Sequence, residues 1–180
     1  LRKIASHRLC DNRCESYVLQ MFDFTLDPHT PKPILYADLA RSAASLVQGE
    51  PDPVANMANV AALIWLSVPN LNWAGFYRVI DDELVLGPFI GKPACIRIPF
   101  GQGVCGTAAA LGATQLVPDV HAYPGHIACD AASQSELVVP VISAGRVRAV
   151  IDLDSPELNR FTQEDADGLE MLASIMADII

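Results

Sequence analysis

Asn72-Trp73-Ala74-Gly75-Phe76-Tyr77-Arg78-Val79 is where the apolar pattern changes period from three or four to two, and its reading decides the fold. Trp73, Gly75 and Tyr77 alternate with Ala74 and Phe76, so the two sets face opposite sides of a strand. Asp81-Asp82 follows as a turn, and Glu83 to Leu86 returns as the second half of a hairpin. Glycine between two large rings on one face leaves a notch. Walls of indole and phenol suit a small ligand carrying a soft, weakly polar group such as sulfur. Close packing of a helix over Gly75 is the alternative, and spacing alone does not separate the two.

Upstream of the hairpin the pattern is helical. Ile34 to Val47 reads as a helix ending at Gly49, and Asp52-Pro53 supplies an N-cap and a favoured first helical residue. Val54, Met57, Ala58, Ala61, Trp65 and Val68 then form one apolar stripe, stopped by Pro69-Asn70, which makes Trp65 a core residue. Residues 1–33 read as an N-terminal extension, with Arg2, Lys3, Arg8 and Arg13 ahead of a turn-rich Asp27 to Pro33. Cys10 and Cys14 lie one helical turn apart within it, too few ligands for a zinc site. The domain is expected to span residues 34–180.

Downstream, Leu137 to Ile142 and Val147 to Leu153 form a second hairpin around Ser143-Ala144-Gly145-Arg146. Asp152 and Asp154 project to one face of its second strand, their Cα atoms roughly 6–7 Å apart from the strand rise. Counting back across the loop pairs Glu136 with Leu153 or Asp154, so three carboxylates converge at one end of the sheet. Thr162 caps a last helix whose buried stripe is Leu169, Leu172, Ala173, Met176 and Ile180. Helix, helix, hairpin, a variable middle, hairpin, helix is an α+β pattern, an antiparallel sheet with helices packed on it.

Composition narrows the function. At 180 residues the chain fits one domain with a sizeable core, and its formal net charge of −9 with no basic stripe argues against nucleic acid. The longest apolar candidate, Val54 to Val68, is interrupted by Asn56 and Asn59 and falls short of the ~20 residues of a membrane span. Five cysteines cannot all pair within the chain, and no secretory signal is seen at its start, so a reducing cytoplasm is expected.

The middle of the chain carries the chemistry. Gly91-Lys92-Pro93-Ala94-Cys95 leads through Gly101-Gln102-Gly103-Val104-Cys105-Gly106-Thr107 to Tyr123-Pro124-Gly125-His126-Ile127-Ala128-Cys129-Asp130. Each cysteine sits in a Gly- or Pro-rich setting, where reactive side chains are often held. Cys105 precedes a helical Gly106 to Ala110, and a helix N-terminus lowers a thiol pKa. Cys129 has His126 before it, which helps a thiolate, and Asp130 beside it, which does not. Local physics leaves the choice of nucleophile open. Crowded carboxylates raise at least one pKa, giving a proton donor to an oxygen that gains charge. The same acids could instead bind a divalent cation or simply face solvent. Cys129 with His121 or His126 could also hold zinc, although the spacing matches no standard finger.

These segments, with Leu86-Gly87-Pro88-Phe89, Val117-Pro118-Asp119-Val120, Ser135-Glu136 and Asp152-Leu153-Asp154, together resemble the free methionine-R-sulfoxide reductases, single GAF-domain enzymes. The likeness runs from about Ile34 to the C-terminus. It implies a GAF fold: a central antiparallel sheet of about six strands with helices on both faces. It implies reduction of free methionine (R)-S-oxide, with no metal and no organic cofactor. Cys129 matches the family's nucleophile, Cys95 the resolving cysteine and Cys105 an accessory thiol. Trp73 and Tyr77 match the aromatic pocket, and Glu136, Asp152 and Asp154 the acids around the substrate. The implied cycle leaves a sulfenic acid, then an intramolecular disulfide that thioredoxin reopens. A homodimer is among the assemblies such domains form. The rival class is a non-catalytic GAF sensor for a cyclic nucleotide or other small effector.

Overall fold

Asp81 and Asp82 both adopt positive φ, 52° and 59°, which lets a two-residue turn close the first hairpin. That hairpin joins β1 (Trp73–Ile80) to β2 (Glu83–Gly91). The second joins β5 (Ser135–Ser143) to β6 (Arg146–Ser155) through Ala144 and Gly145, again both at positive φ. The computed structural model describes residues 30–127 and 130–180. Cys10, Cys14 and Cys129 lie outside the described residues.

Two three-residue strands, β3 (Arg97–Pro99) and β4 (Gln115–Val117), complete a six-stranded antiparallel sheet in the order β3-β2-β1-β6-β5-β4. The α+β pattern and the expected strand number are both met. The hairpin strands run longer than their periodicity suggested. β2 continues past Leu86 by absorbing Gly87-Pro88 in a bulge opposite Phe76, where a Cβ on Gly87 would stand 2.8 Å from the Phe76 carbonyl oxygen.

Helices cover both faces unequally. α1 (Lys32–Leu46), α2 (Pro53–Ser67) and α4 (Gln163–Met176) lie on the face built from Ala74, Phe76, Leu137, Val139, Val141, Ala149, Ile151 and Leu153. α3 (Gly103–Leu111) lies on the other face, over Trp73, Tyr77, Val138 and Val150. Asp52 caps α2 as expected, accepting from the backbone N–H groups of Val54 at 2.8 Å and Ala55 at 2.9 Å.

Two readings of the helices change. α1 starts at Lys32, ahead of the expected Ile34, and the Lys32 ammonium reaches Asp165 of α4 at 2.5 Å. The buried face of α2 runs through Met57, Val60, Ala61, Leu63 and Ile64, while Val54 and Ala58 are exposed. So many α2 residues are apolar that several stripes satisfy the helical period, and the packing of the sheet selects among them.

Candidate active site

Strand pairing builds the site. Glu136 pairs with Asp154, Asp152 pairs with Val138 on one side and Gly75 on the other, and Asp154 pairs with Trp73. The expected convergence of three carboxylates therefore holds, with Asp154 as the partner of Glu136. All three point to the α3 face, where that helix adds Cys105 from its first turn. The cleft between them is lined by Trp73, Tyr77, Cys105, Glu136, Asp152 and Asp154, and closed from the loops by His126, Ile127, Asp130 and Ser133.

The aromatic wall is tighter than the sequence suggested. The Trp73 ring stacks between Tyr77, 5.9 Å away, and Phe89, 5.2 Å away. A Cβ on Gly75 would come within 2.7 Å of Trp73 Cη2 and 2.4 Å of Phe89 Cβ. The space left by Gly75 is thus occupied by these two side chains, and no helix fills it. The glycine lets the indole pack closely over its own strand, and the buried Trp73 lines the cleft. Trp73 Nε1 is fixed by donating to the Lys92 carbonyl at 3.2 Å.

Charge in the acid cluster is held down by burial. Asp152 is 6% exposed, and its carboxyl is pushed up to about 7 chiefly by loss of water. Burial, then repulsion from Asp152 and Asp154, raises Glu136 well above the usual carboxylate range. Asp154 rises for the same leading reason, with Asp152 next. Asp152 Oδ1 is fully buried and has no hydrogen-bond partner among the described residues. An orphaned acceptor of this kind costs roughly 1–3 kcal/mol unless something else fills the role. Its position on the cleft makes a bound ligand the natural partner.

Cys105 departs from expectation. It does sit in the first turn of α3, but burial, then Asp152 and Glu136, push its thiol well above the ordinary value. The thiol donates weakly toward Glu136 Oε1 at 3.9 Å. Desolvation and nearby carboxylates outweigh the helix dipole, which weakens Cys105 as a nucleophile. His126 Nε2 lies 3.7 Å from Glu136 Oε2, with its own pKa lowered first by burial and then by His121. Ligand atoms of Cys105, Glu136 and Asp152 fall within 4.8 Å of one another, close enough for a metal ion. Burial raises the pKa of all three, which disfavours the deprotonated forms that a metal needs. His121 and His126 join no such group among the described residues.

A polar clamp at the mouth escaped the sequence reading. Asp130 Oδ1 accepts from Lys92 Nζ at 3.0 Å and from the Ala132 N–H at 2.9 Å. Asn72 Nδ2 reaches Asp130 Oδ2 at 3.3 Å and Ser133 Oγ at 2.9 Å. These residues come from three separate stretches, so no local spacing marks them. Cys95, on the loop after Lys92, is half-buried.

Residues 62–180 match the family model for the GAF domain. The free methionine-R-sulfoxide reductase of Escherichia coli (strain K12) is 49% identical over 145 residues, covering 81% of this chain and 88% of that protein. A solved structure of free methionine-R-sulfoxide reductase from Neisseria meningitidis in complex with its substrate is 48% identical, with a TM-score of 0.80 over 83% of this chain and 90% of that one. A Burkholderia vietnamiensis structure described as a GAF sensor protein is 56% identical, with a TM-score of 0.80 over 83% of this chain and 95% of that chain.

Proposed function

This chain belongs to the GAF-domain family and, within it, to the free methionine-R-sulfoxide reductases, and from that premise we propose how its residues carry out the reduction. It is an oxidoreductase, and its substrate is the R-sulfoxide of free methionine. The observation that carries this reading is the buried, protonatable Asp152, its Oδ1 unpartnered among the described residues, in a cleft also lined by Trp73 and Tyr77. A sulfoxide presents matching groups: a methyl and a soft sulfur for the indole, and an oxygen for an acid proton.

Cys129 is the nucleophile in this reading. Its sulfur attacks the sulfoxide sulfur while a carboxyl of the Glu136, Asp152 and Asp154 set protonates or hydrogen-bonds the oxygen as charge grows there. The adduct then collapses: the substrate S–O bond and the new S–S bond break as the oxygen passes to the Cys129 sulfur, so methionine leaves and Cys129 is left as a sulfenic acid. Cys95 then condenses with it, releasing water and forming a disulfide, which thioredoxin or a similar dithiol reopens by exchange. Cys105 remains a thiol throughout, since its elevated pKa suits a hydrogen-bond donor to Glu136 better than a nucleophile. A cycle of this kind works in a reducing compartment, which fits the cytoplasm. The acids can also hold the ammonium of a free amino acid, a group that peptide-bound methionine lacks.

The sensor reading is less well supported. A cyclic nucleotide brings a phosphate, and this cleft offers four carboxylates, with Lys92 already engaged by Asp130.

The test is a thioredoxin-coupled NADPH assay with each sulfoxide epimer of free methionine and with a sulfoxidised peptide. Turnover of the free R epimer alone is expected; equal turnover of the S epimer or the peptide would overturn the substrate assignment. Cys129→Ser should lower turnover at least a thousandfold with any reductant. Activity retained in that variant would move the nucleophile elsewhere.

A further inference from the structure

Lys92 and Asp130 sit on the two segments that carry the reacting thiols. Lys92 precedes Cys95 by three residues and Asp130 directly follows Cys129. Their ion pair, 3.0 Å long, joins an ammonium that is 68% exposed to a carboxylate that is 7% exposed. Each end is anchored to the pocket wall independently. The Lys92 carbonyl accepts from Trp73 Nε1, and the Asp130 carboxylate is held by the Ala132 N–H and by Asn72. Gly91 makes the approach possible: at φ 137°, a Cβ there would lie 2.7 Å from Trp73 Cδ1 and 2.8 Å from the Asn72 carbonyl oxygen. Between Lys92 and the short β3, residues 93–95 carry no regular secondary structure. Among the described residues, a long exposed lysine on a buried acid thus links the two segments, and it is separate from the bonds that anchor each end.

We propose that the Lys92–Asp130 ion pair is a tether that keeps the Cys95 and Cys129 segments together during disulfide formation, making both positioning residues for resolution of the sulfenic acid. The inference rests on the thiol cycle proposed above. In that step the Cys95 sulfur displaces oxygen from the Cys129 sulfenic acid. The S–S bond forms, the S–O bond breaks, and the Cys95 proton leaves with the hydroxyl as water. Cys95 is oxidised and the Cys129 sulfur is reduced from the sulfenic to the disulfide level. A tether raises the effective concentration of one thiol at the other. Its exposed half then allows the segments to part for an incoming reductant.

The experiment is a single-turnover reaction of free methionine (R)-S-oxide with the reduced full chain, wild type against Lys92→Met and Lys92→Arg. Released methionine, sulfenic acid trapped with a dimedone-type probe, and disulfide are followed in time. In Lys92→Met, methionine release should stay within about twofold of wild type. Conversion of sulfenic acid to disulfide should slow about fivefold, the size an ion pair with one exposed partner supplies. Lys92→Arg should restore it. Half-molar salt should slow resolution in the wild type and leave Lys92→Met unchanged. Resolution at the wild-type rate in Lys92→Met overturns the tether, and so does an equal loss of methionine release and resolution, which marks a general structural role. A wild type that releases methionine without forming sulfenic acid would overturn the thiol cycle itself and the tether with it.

Discussion

Asp165 and Asp152 are both buried aspartates, 0% and 6% exposed, and the protein shifts their pKa values in opposite directions. Around Asp165 the chain supplies compensation. Oδ2 accepts from Lys32 Nζ at 2.5 Å and from the Thr162 N–H at 2.7 Å, while Oδ1 accepts from Tyr36 at 3.1 Å and Arg160 at 3.3 Å. Burial pushes its pKa up, but these donors outweigh burial and leave it below the ordinary value. Around Asp152 the neighbours are Glu136, Asp154 and Cys105, and among the described residues no lysine or arginine lines the cleft to offset the lost water. The same side chain is thus a fixed anion that staples α4 to α1 in one place and an acid whose burial favours the protonated form in the other. Burial alone does not make an acid functional; burial without a cation does.

Exchanging the roles gives the largest effects. Asp152→Asn should cut turnover about a hundredfold, since the amide can still donate a hydrogen bond but supplies no proton. Stability should hold or rise, because a repulsive acid is removed. Asp165→Asn should do the reverse, costing about 3 kcal/mol by removing the buried anion that Lys32 and the half-buried Arg160 share, while leaving turnover per folded molecule unchanged. Denaturant melts beside active-site-normalised rates check both. If Asp152→Asn unfolds the protein, or Asp165→Asn lowers the rate of the folded fraction, the division between the two regions fails.

The next effect is on pH, and the two acids pull in opposite directions. Asp152 binds its proton more tightly folded than unfolded. Its contribution to stability is complete below the ordinary aspartate pKa of about 4 and is lost as pH rises toward about 7. Asp165 has a depressed folded pKa. Its contribution is present above about pH 4 and is lost as pH falls through that depressed value. Turnover should decline above about pH 7, by up to tenfold per unit, as Asp152 ionises. Melting curves at pH 3 to 9 for the wild type and Asp152→Asn separate these. The variant should lose less stability between pH 4 and 7 than the wild type, and an unchanged slope there would remove Asp152 as a carrier of that proton.

How much of this could be read from the chain follows from the range of each interaction. The two hairpins were legible from turn chemistry and a period of two, and the partner of Glu136 to within one residue, Leu153 or Asp154, of which the structure selects Asp154. β3 and β4 were not, since three residues carry no period. The stacking of Trp73 on Phe89 depends on the β2 bulge, which shifts register without a local mark beyond Gly87-Pro88. The raised pKa of Cys105 was hidden for the same reason: its helix position was visible, but the three acids that raise it arrive from strands thirty or more residues away. Asn72 with Ser133 and Lys92 with Asp130 are long-range pairs as well. The resemblance to the reductases supplied roles for the cysteines that spacing had left open.

The smallest effect bears on the outermost member of the Asp165 network. Lys32 is 29% exposed, touches Asp165 Oδ2 and lies 3.1 Å from Thr162 Oγ1. Lys32→Met keeps the aliphatic stem and removes the charge, while Arg160 still neutralises Asp165 from the far side. The loss should be about 1 kcal/mol at pH 7, the upper part of the range for exposed pairs, because one partner is buried. Lowering the pH through the depressed Asp165 pKa protonates the acid in both proteins, so the difference between them should shrink toward zero. Turnover should not change, since no bond in the network touches the cleft. A Lys32→Met variant that is stable but slow would mean that the α1–α4 staple feeds into the acid cluster across the sheet, and the two regions would have to be treated as one.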